Sequence, residues 1–128
     1  MDIVTRKQLN ILIQLAEADK HFAQVEREMI MRIARNRNYP EEAVEQLIRN
    51  PEPIESLGAL TDERKFAYLL DCIELVFADQ RVFESEVIFC RSIAIKLGFR
   101  KNVVDFLMQN HSTLPKEELK TTTFAQYT

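Results

Sequence analysis

ADKHFAQVEREMIMRIA at residues 18–34 returns sixty residues later as ADQRVFESEVIFCRSIA at residues 78–94. Extended to residues 50 and 110, the two segments match without a gap at eight positions, where unrelated segments would share roughly two. The matched pairs are Ala18 and Ala78, Asp19 and Asp79, Glu26 and Glu86, Ile33 and Ile93, Ala34 and Ala94, Val44 and Val104, Leu47 and Leu107, and Asn50 and Asn110. We therefore predict a duplicated structural unit.

Apolar side chains recur at helical spacing before each copy of this stretch. Thr5 and Gln8 have the spacing of a capping box and predict a first helix from near Thr5 to about Ala18. Thr61 is a suitable cap for the equivalent helix of the second unit. The predicted apolar faces consist of Leu9, Leu12, Ile13 and Ala16 in the first helix and of Phe66, Leu69, Leu70, Ile73, Val76 and Phe77 in its counterpart.

Two further helices are predicted in each unit. A short break at Asp19 or Asp79 leads into a second helix, and Asn38 or Gly98 follows the end of that helix at the same repeat position. Both residue types tolerate the left-handed conformation that commonly ends a helix. Pro40 and the acids after it are typical of the first turn of a third helix.

The expected fold is therefore all-α, a single compact domain of about seven helices built from two pseudo-symmetric repeats. Two units of about fifty residues cannot each bury a sufficient core, so we expect them to pack on each other. The predicted domain spans residues 1–120, with repeat one at 5–50, a linker at 51–60, repeat two at 61–110 and a short C-terminal helix at 114–120. Residues 121–128 are expected to form a frayed tail.

Composition excludes several classes of protein. Hydrophobic residues make up 46% of the chain, there are only two Gly, and no run of eighteen apolar residues occurs, which argues against a disordered, fibrous or membrane-spanning chain. A net charge of −3 gives no reason to expect nucleic acid or an anionic membrane as a partner. Residues 1–7 lack the apolar stretch of a secretory signal, so we expect a cytoplasmic protein without membrane insertion. Cys72 and Cys90 lie in apolar helical patterns and are expected as buried thiols.

The duplicated acids Asp19, Glu26, Asp79 and Glu86 have two interpretations. In the structural one, each Asp forms a turn that redirects the chain, and each Glu accepts hydrogen bonds from exposed backbone donors at the start of the next helix. In the functional one, the four acids converge across the loops and bind Ca²⁺ or Mg²⁺ weakly through oxygen ligands. Accessory acids for such a site are Glu28 and Glu84.

Two observations weigh against a tight cation site. Lys20 and Arg81 follow the two aspartates closely, and their positive charge repels a cation. The loops also lack the alternating acids and central Gly of an EF-hand.

The motif around each aspartate resembles the signature of the tellurite-resistance TerB family, usually written as Ala-Asp-Gly, an aliphatic residue and a downstream Glu. The first copy has Ala18, Asp19, Phe22 and Glu26, and the second has Ala78, Asp79, Val82 and Glu86. The resemblance covers roughly residues 9–110. The chain departs from the family pattern at Lys20 and Gln80, where the family usually has Gly.

This resemblance implies an all-helical fold of about seven helices in two similar halves, related to the N-terminal domain of a membrane-anchored J-domain co-chaperone. It also implies an acidic cluster associated with metal, onto which the four duplicated acids map. The association with tellurite and stress resistance comes from the same resemblance.

The function that we expect is that of a non-enzymatic protein-interaction module with weak divalent-cation binding. Residues for nucleophilic catalysis and Gly-rich phosphate loops are lacking, and His21 and His111 are the only imidazoles. The alternatives are a small metal-dependent enzyme that uses the same carboxylates and a purely structural helical adaptor without an ion. The protein partner is not specified by the sequence, and we expect a monomer or a weak dimer.

Overall fold

The structure, a computed structural model, describes residues 2–20, 22–78 and 81–128. Within these ranges it contains helices and no strand, which confirms the predicted all-α class. The helices are α1 (Ile3–Ala16), α2 (Gln24–Asn36), α3 (Glu41–Arg49), α4 (Asp62–Val76), α5 (Glu84–Lys96), α6 (Val103–Asn110) and α7 (Lys116–Gln126). None of these helices combines the length and the apolar composition that a bilayer-spanning segment needs.

The first six helices pack in two groups of three. Helices α1, α2 and α3 contact one another, and α4, α5 and α6 do the same. The groups meet where α1 packs on α4 and α5, and α7 packs on α6. A shift of sixty residues converts the bounds of α2 into those of α5.

Helices α1 and α4 form the centre of the hydrophobic core. Each is buried on most sides because each lies between its own group and the opposite one, which explains why their apolar residues form near-continuous runs. The fully or almost fully buried apolar side chains of these helices are Leu9, Ile11, Leu12, Ile13, Leu15, Ala16, Phe66, Leu69, Cys72, Ile73, Leu75 and Val76. Cys72 and Cys90 are buried free thiols, as the sequence predicted.

Helices α2 and α5 end in the same way. Asn38 and Gly98 both have positive φ, at 56° and 94°. The next residues, Tyr39 and Phe99, donate their N–H groups to the carbonyls of Ala34 and Ala94 at 2.9 Å, the six-to-one bond of a Schellman motif. The prediction that these positions end the two helices is confirmed.

The start of α1 differs from the prediction. Asp2 is the N-cap, and its side chain accepts a hydrogen bond from the N–H of Val4 at 2.9 Å. Thr5 is therefore inside the first turn, where its hydroxyl donates to Asp2 at 2.8 Å. Gln8 does not reach back to a cap. It is 1% exposed and donates to Asp71 on α4.

The linker contains no helix and lies against α1. The side chain of Asn10 makes two hydrogen bonds of 2.9 Å with the backbone N–H and carbonyl of Glu52. Leu57 is 2% exposed and joins the core. These contacts fix an otherwise irregular segment because they satisfy its backbone groups.

The prediction that residues 121–128 fray is wrong. Helix α7 continues to Gln126, and Thr123 is fully buried. Phe124 packs edge-to-face on Phe99 with ring centroids 5.4 Å apart, and Tyr127 stacks on Phe106 at 5.3 Å. Aromatic contacts of this kind stabilise a helix whose three consecutive threonines have low helix propensity.

Candidate carboxylate site

Glu26 and Glu86 occupy the third position of α2 and α5 and cap those helices. The N-cap residues Ala23 and Phe83 have no side-chain oxygen that could accept a backbone donor. Instead, Oε1 of Glu26 accepts from the N–H of Ala23 at 3.0 Å, and Oε1 of Glu86 accepts from Phe83 at 3.4 Å. This confirms the structural interpretation of the two glutamates, since each satisfies a donor at a helix start.

The same two glutamates meet in the interior of the protein. Each is 1% exposed, and the two side chains lie close enough for Glu26 to raise the pKa of Glu86. The packing of α1 on α4 and α5 thus brings together two acids that are sixty residues apart in sequence.

Burial raises the pKa of Glu86 to about 8. The negative charges of Glu26 and Asp19 add to this rise, whereas the hydrogen bond from Phe83 opposes it. A carboxyl group in a poorly solvated site beside other acids favours its neutral form. Glu86 therefore holds a proton at neutral pH.

Asp19 is the third acid at this place. It is half-buried in the turn after α1, and its charge acts on Glu86 of the opposite group of helices. Of the four duplicated acids, the structure thus shows an electrostatic influence of Glu26 and Asp19 on Glu86. Asp79, the fourth, lies outside the described residues, as does Gln80.

Lys20 has a left-handed backbone conformation, which glycine adopts more easily than other residues. Its φ is 63°, in the left-handed region, and its side chain is exposed. This is the position where the resembled family pattern has Gly. The chain keeps that backbone geometry with a lysine, at a cost of about 1 kcal/mol.

The structure does not bring Glu28 and Glu84 to the pair, so their assignment as accessory acids is wrong. Both are exposed, and Glu28 instead accepts a hydrogen bond from Gln24 at 3.4 Å. Each lies two residues from its capping glutamate, which is about 200° around a helix. They therefore face away from Glu26 and Glu86.

The donor chemistry of the site fits a hard cation, although the number of protein ligands is small. Carboxylate oxygens are the ligands that Ca²⁺ and Mg²⁺ prefer, and both ions accept waters in the remaining positions. Among residues 2–20, 22–78 and 81–128, no group of three or more Asp, Glu, His or Cys side chains has the arrangement of a metal centre. A cation here would therefore keep most of its waters.

A second buried polar contact was not anticipated from the sequence. Gln8 on α1 donates a hydrogen bond to Asp71 on α4, and burial raises the pKa of Asp71 to about 6, with a further contribution from Glu74. The sequence feature that could have indicated this contact is Asp71, an acid within the apolar run of α4. It links the two central helices and involves neither Glu26 on α2 nor Glu86 on α5.

Comparison of the chain with protein-family models, with curated proteins and with solved structures gives no match.

Proposed function

We propose that this protein is a TerB-like, non-enzymatic interaction module of two pseudo-symmetric repeats, in which Glu26 and Glu86 bind Ca²⁺ or Mg²⁺ weakly. The resemblance to the family associates such a module with tellurite and stress resistance. The observation that carries the cation proposal is that both glutamates are buried and that the charge of Glu26 raises the pKa of Glu86.

Two buried acids that act on each other electrostatically are stabilised by a proton or a cation that compensates their charge. At neutral pH the proton is retained, because the pKa of Glu86 is about 8. When that proton leaves, two negative charges remain in a poorly solvated place, with Asp19 close by. A divalent cation then compensates the charge that the proton had compensated.

We expect the pair to bind a cation only weakly. The ion must displace a proton, and it gains few protein ligands in return. We expect a dissociation constant of about 1 mM, in the range of the weakest protein calcium sites. The ion would therefore act on the stability of the contact between the repeats.

The TerB-like assignment draws support from three features. The helix bounds of α2 and α5 agree after a sixty-residue shift, both helices end in a Schellman motif, and both begin with a capping glutamate. The left-handed φ of Lys20 supports it as well, because the family pattern has Gly there.

The second candidate is a structural adaptor without an ion, which the raised pKa of Glu86 favours because the acid is then neutral without a cation. In that case the glutamate pair only caps two helices and joins the repeats. The two candidates differ in their response to added cations.

Thermal unfolding with and without ion distinguishes them. At about 10 mM Ca²⁺ or Mg²⁺ and a dissociation constant of about 1 mM, the ion should add about 1.4 kcal/mol, or roughly 5 °C in Tm. The effect should be larger at pH 9 than at pH 6, because the proton competes with the ion. NaCl at matched ionic strength and EDTA are the solvent controls.

Glu86→Gln should abolish the ion effect, and Glu28→Gln is its matched control. Each change removes one carboxylate from a helix that a glutamate caps. Glu28, however, is exposed and lies on the opposite side of α2 from Glu26. An ion effect that survives Glu86→Gln would place the ion at another site and overturn the assignment to the glutamate pair. A wild-type Tm that does not respond to either ion at pH 9 would leave only the structural adaptor.

A further inference from the structure

The outer face of α5 exposes two large aliphatic side chains that none of the described helices covers. Ile88 and Ile95 are 56% and 59% exposed, although large aliphatic side chains are normally buried. They lie seven residues apart, which places them on one side of the helix about two turns from each other. We define the outer face of α5 as its six exposed residues on this side, Glu84, Ser85, Ile88, Ser92, Ile95 and Lys96.

Helix α2 shows that the monomer does not need isoleucine at these positions. With the sixty-residue shift, Ile88 corresponds to Glu28 and Ile95 corresponds to Arg35, and both of these are exposed. The two helices thus have the same exposure but opposite surface chemistry. The exposed isoleucines are specific to α5, and more than half of each remains uncovered in the monomer.

We propose that the outer face of α5 binds the same face of a second copy of this chain, with the two helices antiparallel about a twofold axis. An axis that passes midway between Ile88 and Ile95 places each Ile88 opposite the Ile95 of the other copy. Both isoleucines are then covered in both copies. Ser92, a small side chain near the axis, permits the close approach of the two helices.

The charges at the two ends of α5 favour this orientation and a second copy as the occupant. Arg91, which lies between the two isoleucines on the same side, is compensated within the monomer by its ion pair with Asp105 at 2.9 Å. Glu84 begins the helix and Lys96 ends it, and both are exposed on the outer face. In an antiparallel pair, the acidic start of one helix lies beside the basic end of the other, and this occurs twice. A parallel pair would instead bring like charges together at both ends.

The geometry also sets the size of the assembly and its strength. A twofold contact uses the same patch on both copies and closes on itself, so association stops at the dimer. Helix α5 has 13 residues and is therefore about 20 Å long. A single helix pair of this length buries less than the roughly 1,200 Å² of a standard stable interface, so we expect a dissociation constant of about 10 μM to 1 mM.

Sedimentation equilibrium from about 10 μM to about 1 mM tests the proposal. The weight-average mass of the wild type should rise from 15.0 kDa towards twice that value. Ile88→Glu and Ile95→Arg introduce the residues that α2 has at these positions. Each should raise the dissociation constant about 100-fold, because the twofold axis places each substitution in the interface twice, once from each copy. Ile3→Glu, at the 69% exposed Ile3 of α1, should leave it unchanged.

Charge reversal tests the antiparallel arrangement. Glu84→Lys and Lys96→Glu should each weaken self-association severalfold, because each places like charges together at both ends of the pair. An equimolar mixture of the two variants should associate as strongly as the wild type, since both charge pairs are complementary in the mixed dimer. Circular dichroism and Tm establish that each variant remains folded.

Either of two results would overturn the proposal. One is a wild type that keeps the monomer mass up to 1 mM. This result would overturn the proposal even if the face bound a different protein. The other is self-association that persists in Ile88→Glu. Neither result bears on the glutamate pair, because Glu86 lies on the buried side of α5 and its test measures a response to cations.

Discussion

Glu26 raises the pKa of Glu86 from the opposite group of helices, while each of the two buried glutamates caps its own helix. Each side chain thus has two tasks: it satisfies a backbone donor at a helix start, and it interacts electrostatically with the other glutamate. Because both tasks use the same buried carboxyl group, the protonation of the pair is coupled to the stability of the whole fold.

The first prediction concerns pH. The folded protein keeps the proton of Glu86 up to about pH 8, whereas the unfolded chain releases it near 4.5. The free energy of unfolding should therefore fall as pH rises between these values, by at most about 1.4 kcal/mol per pH unit. The raised pKa of Asp71 also makes the free energy of unfolding fall as pH rises, but only up to about pH 6. Urea titrations between pH 6 and pH 8 thus report on Glu86.

In Glu86→Gln the slope between pH 6 and pH 8 should be lost, because an amide resembles the protonated acid and does not titrate. Asp71→Asn should leave that slope intact and flatten the curve below pH 6. A slope of unchanged size in Glu86→Gln would show that another group titrates in this range.

The second prediction uses the two glycines of the chain as a matched pair. Gly98→Ala should cost about 1 kcal/mol, because Gly98 has a φ of 94° while an added Cβ meets nothing within 4 Å. Gly98→Asn should cost roughly half as much, since Asn tolerates this region and Asn38 occupies the equivalent position. Gly58→Ala should be neutral within about 0.5 kcal/mol, because its Cβ would make only an ordinary contact with Ser56. Equal losses at Gly58 and Gly98 would contradict the Schellman assignment.

The third prediction concerns the left-handed turn at Lys20. Lys20→Gly should stabilise the protein by about 0.5 kcal/mol, because the relief of strain exceeds the added entropy of the unfolded chain. Lys20→Val should destabilise it by about 1–2 kcal/mol, since a β-branched residue resists positive φ. Chemical denaturation measures both. A stabilising Lys20→Val would show that the residue does not keep its φ of 63° in solution.

The helical class of the fold was predictable because its signals are local. Apolar spacing identified the central helices, and Asn38 and Gly98 correctly marked two helix ends. The start of α1 was placed too late, because Thr5 and Gln8 imitate a capping box. The actual role of Gln8, a hydrogen bond to Asp71, depends on a helix that lies more than fifty residues away in sequence.

The candidate site was predictable only in part, for a similar reason. Repetition in the sequence identified Glu26 and Glu86 and placed each at a helix start. It could not show that Glu26 acts on Glu86, because that depends on how the two groups of helices pack. Glu28 is different, since helical geometry alone places it about 200° away from Glu26 on the same helix. The error at Glu28 was therefore avoidable, whereas the influence of one glutamate on the other required the structure.

The last prediction concerns the C-terminal segment. Deletion of residues 121–128 should destabilise the protein by about 2–4 kcal/mol, because it removes two half-buried aromatic side chains and the buried Thr123. It also removes the carbonyl of Tyr127, which accepts a hydrogen bond from the N–H of Arg100 at 2.7 Å. Phe124→Ala should reproduce about 2 kcal/mol of this loss through its contact with Phe99, whereas Gln126→Ala, at an exposed position, should change stability by less than about 0.5 kcal/mol. Urea unfolding of the three variants measures these differences. A deletion that leaves the unfolding midpoint unchanged would show that the segment frays in solution after all.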